Sequence, residues 1–470
     1  MFLRNHISDT VNILLTVPNY FPNSFGGIQT YVHCLAKELL RRGHRITIVT
    51  GMTRQNDDKP FAIKEYLYKN IKVIACSINP DCLDARERHI GSGPLKRQLL
   101  RDILTECRPD LVHSNDMDPT ITSLCNEMRI PHVVTAHSTA MACPSTALLK
   151  ADSVVCEKSM NPQDCIACYL SPHPWYTGGL IAKMPGFLYR WCGNKLGKRK
   201  NPSYLARALL CPWLVEQNIL EKRSVLNLAQ CIVAPSLFVR DLLVKNGCDF
   251  RKILTAAHGI DPIEKSPIKE LGKRPVRFAY IGRIGPRKGL HILLESAKLL
   301  PENSECEIHI YGAATASEDE KYCKQIMSGY KGKATIFMHG VIPHDKLYET
   351  FAMIDVLVVP SLIPEAFGLV VQEAFSAGRP VIVANSGGLA ERVRDGKDGL
   401  VVERNNPPSL SRAMQKIIAT PGLIWEMTKD LPHVKTATEY VDEMEALYRF
   451  MIDCNRSTID REAQMHAQIS

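Results

Sequence analysis

The 470-residue sequence has no run of the roughly 20 mostly apolar positions that a membrane-spanning helix needs. Its longest uncharged candidate, CIACYLSPHPWYTGGLIA, is interrupted by Pro, Gly and polar residues. A secretory leader is equally hard to find, because VNILLTV is short, follows Asp9 and is stopped by Pro18. Short tandem repeats are absent as well. With 45% hydrophobic and 23% charged residues the composition is that of a folded globular protein, and the length predicts two to three domains. The expected location is the cytoplasm.

Acidic residues are missing from one window. Cys165 to Val215 contains no Asp or Glu, yet it holds Lys183, Arg190, Lys195, Lys198, Arg199, Lys200 and Arg207 together with Trp175, Trp191 and Trp213. Basic residues interleaved with aromatic rings suit an anionic membrane surface or the diphosphate of a lipid-linked acceptor. The alternative is a helical insertion that packs its aromatics on the first domain. A net charge of +9 is too small for a broad nucleic-acid face, so no nucleic-acid partner is expected. The sixteen cysteines, with no leader sequence, point to reduced thiols or a metal site. Four of them, Cys143, Cys156, Cys165 and Cys168, are spaced x12, x8 and x2. That is the count and type of a tetrahedral zinc site; spare reduced thiols and a redox-sensitive disulfide pair are the alternatives.

What is abundant is alternation. VNILLTV, HRITIVTG, IKVIAC, DLVHSND and HVVTAH are short apolar, largely β-branched runs separated by segments of helical spacing such as IQTYVHCLAKELLRRG. A second series, VRFAYIGR, CEIHIYG, ATIFMHG, VLVVPS, PVIVAN and GLVVE, follows the Pro- and charge-rich segment HGIDPIEKSPIKELGKRP, which reads as an inter-domain linker. This pattern predicts an α/β chain with two similar domains, each a parallel sheet flanked by helices, facing each other across a cleft. From about residue 455 the chain reads as polar and loosely ordered.

Ligands of open α/β sheets sit at the carboxyl ends of strands. Gly26 and Gly27 occupy such a strand-to-helix turn, where backbone amides approach a phosphate with no Cβ in the way. In GRIGPRKG, Arg283 and Lys288 offer a fork and a point charge to the two phosphates of a nucleotide diphosphate. The segment PEAFGLVVQEAF puts Glu365 and Glu373 eight positions apart on what reads as one helix, within about 80° of each other around its axis. Glu373 is embedded in LVVQEAF, where a carboxylate needs a specific partner. One glutamate suits sugar hydroxyls and the other a ribose, with the diphosphate at the helix N-terminus between them.

The segment PEAFGLVVQEAFSAGRPVIVANSGGLAERVRDGKDGLVV, with GRIGPRKG, HGID, SFGGIQTYV and VVTAH in that order along the chain, resembles the Glu-x7-Glu signature of the retaining GT-B glycosyltransferases of family 4. The resemblance implies two Rossmann-like domains: 1–258, on the acceptor side, with an insertion at about 140–215; 262–432, holding the nucleotide sugar; and 433–470, a helix crossing back to the first domain and a tail. It implies that Arg283 and Lys288 neutralise the departing diphosphate with the amides of Gly368 and Leu369. Glu373 would bind the ribose, Glu365 the donor sugar, and Gly26 and Gly27 the phosphate from the first domain. His137 would stand beside the reacting sugar. The partners implied are a nucleotide diphosphate sugar and a glycan or lipid-linked acceptor. The basic, aromatic window, not the resemblance, suggests a cytoplasmic protein peripheral on the inner face of the plasma membrane. Asp116 and Asp118 form an Asp-x-Asp, which in the other glycosyltransferase fold binds a divalent metal. Here it lies apart from the cationic clamp, so a loop or acceptor-side role is expected, with no cofactor required for transfer. A sugar-nucleotide epimerase on the same fold and a non-catalytic sugar-nucleotide-binding or zinc scaffold are the alternatives.

Overall fold

The computed structural model describes residues 10–22, 24, 26–52, 59–150, 154–171, 181–268, 271–343 and 346–469. The chain divides into two compact units. The first comprises 1–235, 239–256 and 437–470, and the second 236–238 and 257–436.

The first unit is built on an eight-stranded sheet: β1 (Asn12–Val17), β2 (Arg45–Gly51), β3 (Phe61–Tyr68), β4 (Ile71–Ile78), β5 (Leu111–Ser114), β6 (His132–Thr135), β7 (Cys231–Ala234) and β8 (Ile253–Thr255). Their spatial order is β3-β4-β2-β1-β5-β6-β7-β8. Every pairing is parallel except β3 with β4, a hairpin closed through Lys69 and Asn70, both with positive φ as a tight two-residue turn requires. Five of these strands coincide with the apolar runs above; β3, no residue of which is fully buried and which carries Lys64 next to Glu65, does not announce itself in that way.

The second unit carries six parallel strands, β9 (Val276–Ile281), β10 (Cys306–Tyr311), β11 (Thr335–Gly340), β12 (Val356–Val359), β13 (Val381–Ala384) and β14 (Gly399–Val402), in the order β11-β10-β9-β12-β13-β14. Helices cover both faces, so the central strands are apolar on both. Val276, Phe278, Val356, Val358 and Ile382 enter one core. Ala279, Leu357, Val381 and Val383 enter the other with Phe351 and Phe375. Burying each such phenylalanine stabilises the fold by about 1.5–3 kcal/mol.

Two expectations change. Residues 257–268 are not a bare linker but lie along the second unit: Ile263 N donates to Ser376 Oγ at 2.8 Å, and the fully buried Arg379 donates to Ser266 O at 2.6 Å and Phe351 O at 2.8 Å. A buried guanidinium needs acceptors, and this backbone supplies them to Nε and Nη1, while Nη2 has none among the described residues. The C-terminal helix runs from Ala437 to Ile469 rather than loosening near 455, since nothing after Ala437 breaks a helix: the segment contains neither Pro nor Gly. It packs within the first unit through a Tyr31–Tyr440 hydroxyl pair at 2.7 Å.

Candidate functional site

In the second sheet the strand order reverses between β9 and β12, the place where an open α/β sheet leaves a crevice at its strand ends. The loops after these two strands are stitched together. Leu362 N donates to Arg287 O at 3.0 Å, and Gly289, at φ 76°, comes so near Pro360 that a Cβ would stand 2.0 Å from its carbonyl oxygen. Only glycine fits there, and the close approach delivers Lys288 to the end of β12. Lys288 Nζ lies 2.6 Å from Glu365 Oε1, and Ser361 Oγ donates to the same oxygen at 2.7 Å. Arg283 is exposed on the same loop, its carbonyl fixed by Tyr280 Oη at 2.6 Å. Among the described residues its guanidinium has no partner.

The two glutamates do not share a helix. Glu365 forms an isolated parallel bridge with Gly387, and the helix starts at Leu369 after Gly368, whose φ of 85° turns the chain into it. The angular argument for eight helical residues therefore does not apply. Glu365 is set by backbone hydrogen bonds with Ser386 and Gly388, and Glu373 by the second turn of Leu369–Ser376. The first-turn amides of this helix, with the positive end of its dipole, face the same loop region as any helix start does. Glu373 is half-buried, and burial pushes its carboxyl up to about 7. Among the described residues no hydrogen-bond donor or cation meets it. Ser361, Ser386 and the Gly387-Gly388 turn were not singled out from the sequence. The signal was present, since SGG follows the β13 run as Gly26-Gly27 follows β1.

In the first unit the order reverses between β1 and β5. Gly26 precedes the helix Gly27–Arg41, which follows β1 after a loop. His137, just past β6, has Nε2 at 3.0 Å from Asn115 Oδ1, and its ring meets the edge of Tyr31 at 4.6 Å. Asn115 and Tyr31, invisible in the sequence pattern, orient that imidazole. The Asp-x-Asp is occupied internally. Asp118 caps the helix Pro119–Glu127 through Thr120 N at 2.9 Å and pairs with Lys96 at 2.7 Å. Asp116 accepts from Thr16 Oγ1 at 2.8 Å, and burial with the neighbouring Asp118 charge pushes it up to about 6.

The basic window splits. Tyr189 and Trp213 are buried, with Gly193 against the Trp213 ring, and Arg190 forms an ion pair with Glu216 at 2.6 Å. Phe187, Trp191, Tyr204 and Leu205 are more than half exposed, with Lys195 Nζ 4.6 Å above the Trp191 ring. Trp175 lies outside the described residues. Cys143, Cys156, Cys165 and Cys168 line one cavity of about 430 Å³. Among the described residues, no group of three or more His, Cys, Asp or Glu side chains is set to hold a metal ion. No helix among them is long and apolar enough to cross a membrane.

Residues 263–431 match the family model described as "Glycosyl transferases group 1", and residues 25–158 match that of "Glycosyltransferase Family 4". The D-inositol 3-phosphate glycosyltransferase of Geodermatophilus obscurus is 30% identical over 234 residues, 44% of this chain and 52% of that protein. The lipopolysaccharide 1,2-N-acetylglucosaminetransferase of Salmonella typhimurium is 35% identical over 126 residues, 26% and 33% respectively. The chain spans about half the length of the curated relatives it matches first. The structure of Anabaena HepE in complex with UDP and glucose aligns over 97% of this chain and 100% of that one, with a TM-score of 0.57 at 15% identity, a likeness of fold.

Proposed function

From the premise that the chain belongs to the family 4 glycosyltransferases and has their GT-B fold, we propose that it moves a sugar from a nucleotide diphosphate to a hydroxyl of a glycan or lipid-linked acceptor, in polysaccharide or glycolipid biosynthesis. One observation carries the reading: Lys288 meets Glu365 at the switch point of the second sheet, with Arg283 and Glu373 nearby in sequence to that site and unpartnered. Such a set suits an anionic leaving group flanked by hydroxyl-bearing groups. Lys288 and Arg283 take the phosphates, helped by the amides at Gly368 and Leu369. Lys288 then turns from Glu365 to phosphate, and Glu365 accepts from donor-sugar hydroxyls while Glu373 accepts from the ribose.

In the reaction the bond from the anomeric carbon to the phosphate oxygen breaks as the acceptor oxygen bonds to that carbon. The acceptor proton passes to the departing phosphate oxygen on the same face, so configuration is retained. Fixed positive charge stabilises the diphosphate as it leaves, and transfer needs no added metal. His137, its ring held by Asn115, keeps the role the family motif gives it, contact with the reacting sugar.

UDP-glucose, bound in another HepE complex, is the first donor to try. A thermal-shift panel of nucleotide diphosphate sugars, with and without EDTA, should show stabilisation by one of them that EDTA leaves unchanged. That donor should be consumed only when an acceptor is added. Turnover without an acceptor would favour the epimerase reading, and the absence of any shift would favour the scaffold.

A second reading concerns location. Phe187, 77% exposed, and Trp191, 55% exposed, project from the helix Gly186–Leu196 beside Lys195, Lys198, Arg199 and Lys200, a combination suited to anionic headgroups. The negative surface potential of a membrane's cytoplasmic leaflet is the field such a patch suits. Wild type should sediment with phosphatidylglycerol vesicles and the Phe187→Ser/Trp191→Ser variant should not; equal partitioning removes this reading.

A further inference from the structure

The cysteine cavity is assembled from three separate pieces of chain. A turn closed by Thr146 N on Cys143 O follows Cys143, whose Sγ lies 3.1 Å from Ser145 Oγ. A short hairpin comes next, with Leu149 bridged to Val155 and Cys156 N donating to Leu148 O at 2.8 Å, which returns Cys156 toward Cys143. The helix Pro162–Leu170, capped by Asn161, then presents Cys165 and Cys168 one turn apart. Cys168 Sγ reaches back to Leu149 O at 3.9 Å, so the helix rests on the hairpin. The connection between these pieces is pinned at Met160, whose N donates to Asn246 Oδ1 at 2.8 Å and whose O accepts from Arg223 at 2.6 Å.

Four thiols dispersed over 26 positions thus line one cavity wall, where the apolar side chains Leu148 and Met160 alone would close a core. Lys150 and Lys158 stand at the cavity, the latter paired with Asp164 at 2.9 Å. A cavity whose wall gathers four soft donors has the donor chemistry of a thiophilic metal centre.

We propose that Cys143, Cys156, Cys165 and Cys168 bind a structural zinc ion that fastens the hairpin onto the helix Pro162–Leu170. The thiols line the cavity without being set around a common point, so binding closes the cavity: the ion draws hairpin and helix together, and folding of this segment is coupled to metal uptake. The fastened segment follows His137 directly, and its rigidity is passed to the loop that carries that residue.

Metal analysis of the full-length protein, purified without chelator, should find about one zinc per chain, as a four-thiolate site requires. After removal of the metal and addition of cobalt(II), thiolate-to-cobalt charge-transfer absorption should appear in the wild type, persist in Cys211→Ser and vanish in Cys165→Ser. Zinc should also slow hydrogen exchange in residues 146–150 and 162–170. A wild-type protein that carries no zinc and takes up no cobalt overturns the proposal. So does iron with acid-labile sulfide, or a disulfide between two of the four in the protein as isolated. None of these readouts depends on sugar transfer, so failure here and failure of the transferase reading are distinguishable.

Discussion

The two units share a plan, a parallel sheet with polar side chains at its strand ends, and differ in what those side chains meet. In the first unit they satisfy one another. His113 Nδ1 lies 2.5 Å from Tyr448 Oη and its Nε2 2.6 Å from Thr135 Oγ1, Ser114 Oγ lies 2.9 Å from His132 Nε2, and Asn115 holds His137. In the second unit, Glu373 and Arg283 meet nothing among the described residues, and Lys288 and Glu365 are paired at the mouth of the strand-end loops. Of these first-unit groups, His132 Nδ1 alone is buried with no partner among the described residues; a largely closed polar network specifies a shape, and an open one suits a ligand. Under the proposed function, chemistry falls to the second unit and positioning to the first.

The sharpest test removes charge from the open set. Lys288→Ala should lower kcat by about 10²–10³-fold, the range for losing one preorganised group that stabilises developing charge. Steady-state rates with the donor from the panel would measure it. Glu365→Gln should reduce transfer far more than nucleotide diphosphate affinity, as the proposed contact of Glu365 with the sugar rather than the phosphates requires. Turnover unchanged by either substitution would remove that residue from the site.

The matching change in the closed network should do the opposite. Tyr448→Phe leaves His113 Nδ1 buried without its partner, at a cost of about 1–3 kcal/mol in stability. Denaturant unfolding would read that loss, and kcat at a temperature where both proteins are folded should change little. A variant that keeps its stability and loses turnover would make the first unit's network part of the chemistry, and the contrast between the units would fail.

Much of this division is legible in the sequence. Strands with β-branched residues on both faces announce parallel, doubly covered sheets, which is why VRFAYI and VLVV could be read directly. Arg283, Lys288 and Glu365 are legible because strand ends and glycines frame them. Less legible is whatever depends on long-range pairing. The hairpin strand β3 has the alternation of a half-exposed edge, with Lys64 and Glu65 in it, and pairs only with β4. The one-helix placement of Glu365 fails at Gly368, where one positive φ resets the chain direction. Asn115, Tyr31 and Tyr448 have ordinary sequence contexts; only the fold brings Tyr448, 335 positions away, onto His113.

Proton linkage gives the subtlest difference between the units, because burial acts on opposite kinds of group. His113 and His132 are buried as neutral rings, held down to about 3 and about 4. Below their unfolded value of about 6.5 the unfolded chain takes up protons that the folded one refuses, so the first unit loses stability as pH falls from there. Glu373 runs the other way. With its carboxyl raised by burial from 4.5 to about 7, the folded second unit holds a proton that the unfolded chain has released, and this stability is full below about 4.5 and lost as pH rises through about 7. Glu373→Gln, which removes the buried charge, should therefore raise the Tm of the ligand-free protein at about pH 8 by a few degrees, equivalent to about 1 kcal/mol, and leave it nearly unchanged at about pH 4. The same substitution should weaken nucleotide binding, since a carboxylate accepts from ribose hydroxyls better than an amide does. Hydrogen exchange followed separately on β5 and on the helix Leu369–Ser376 would resolve the two slopes. If both regions loosen together as pH falls, Glu373 is ionised in the empty site, and the second unit has a partner for it that makes its network as closed as the first.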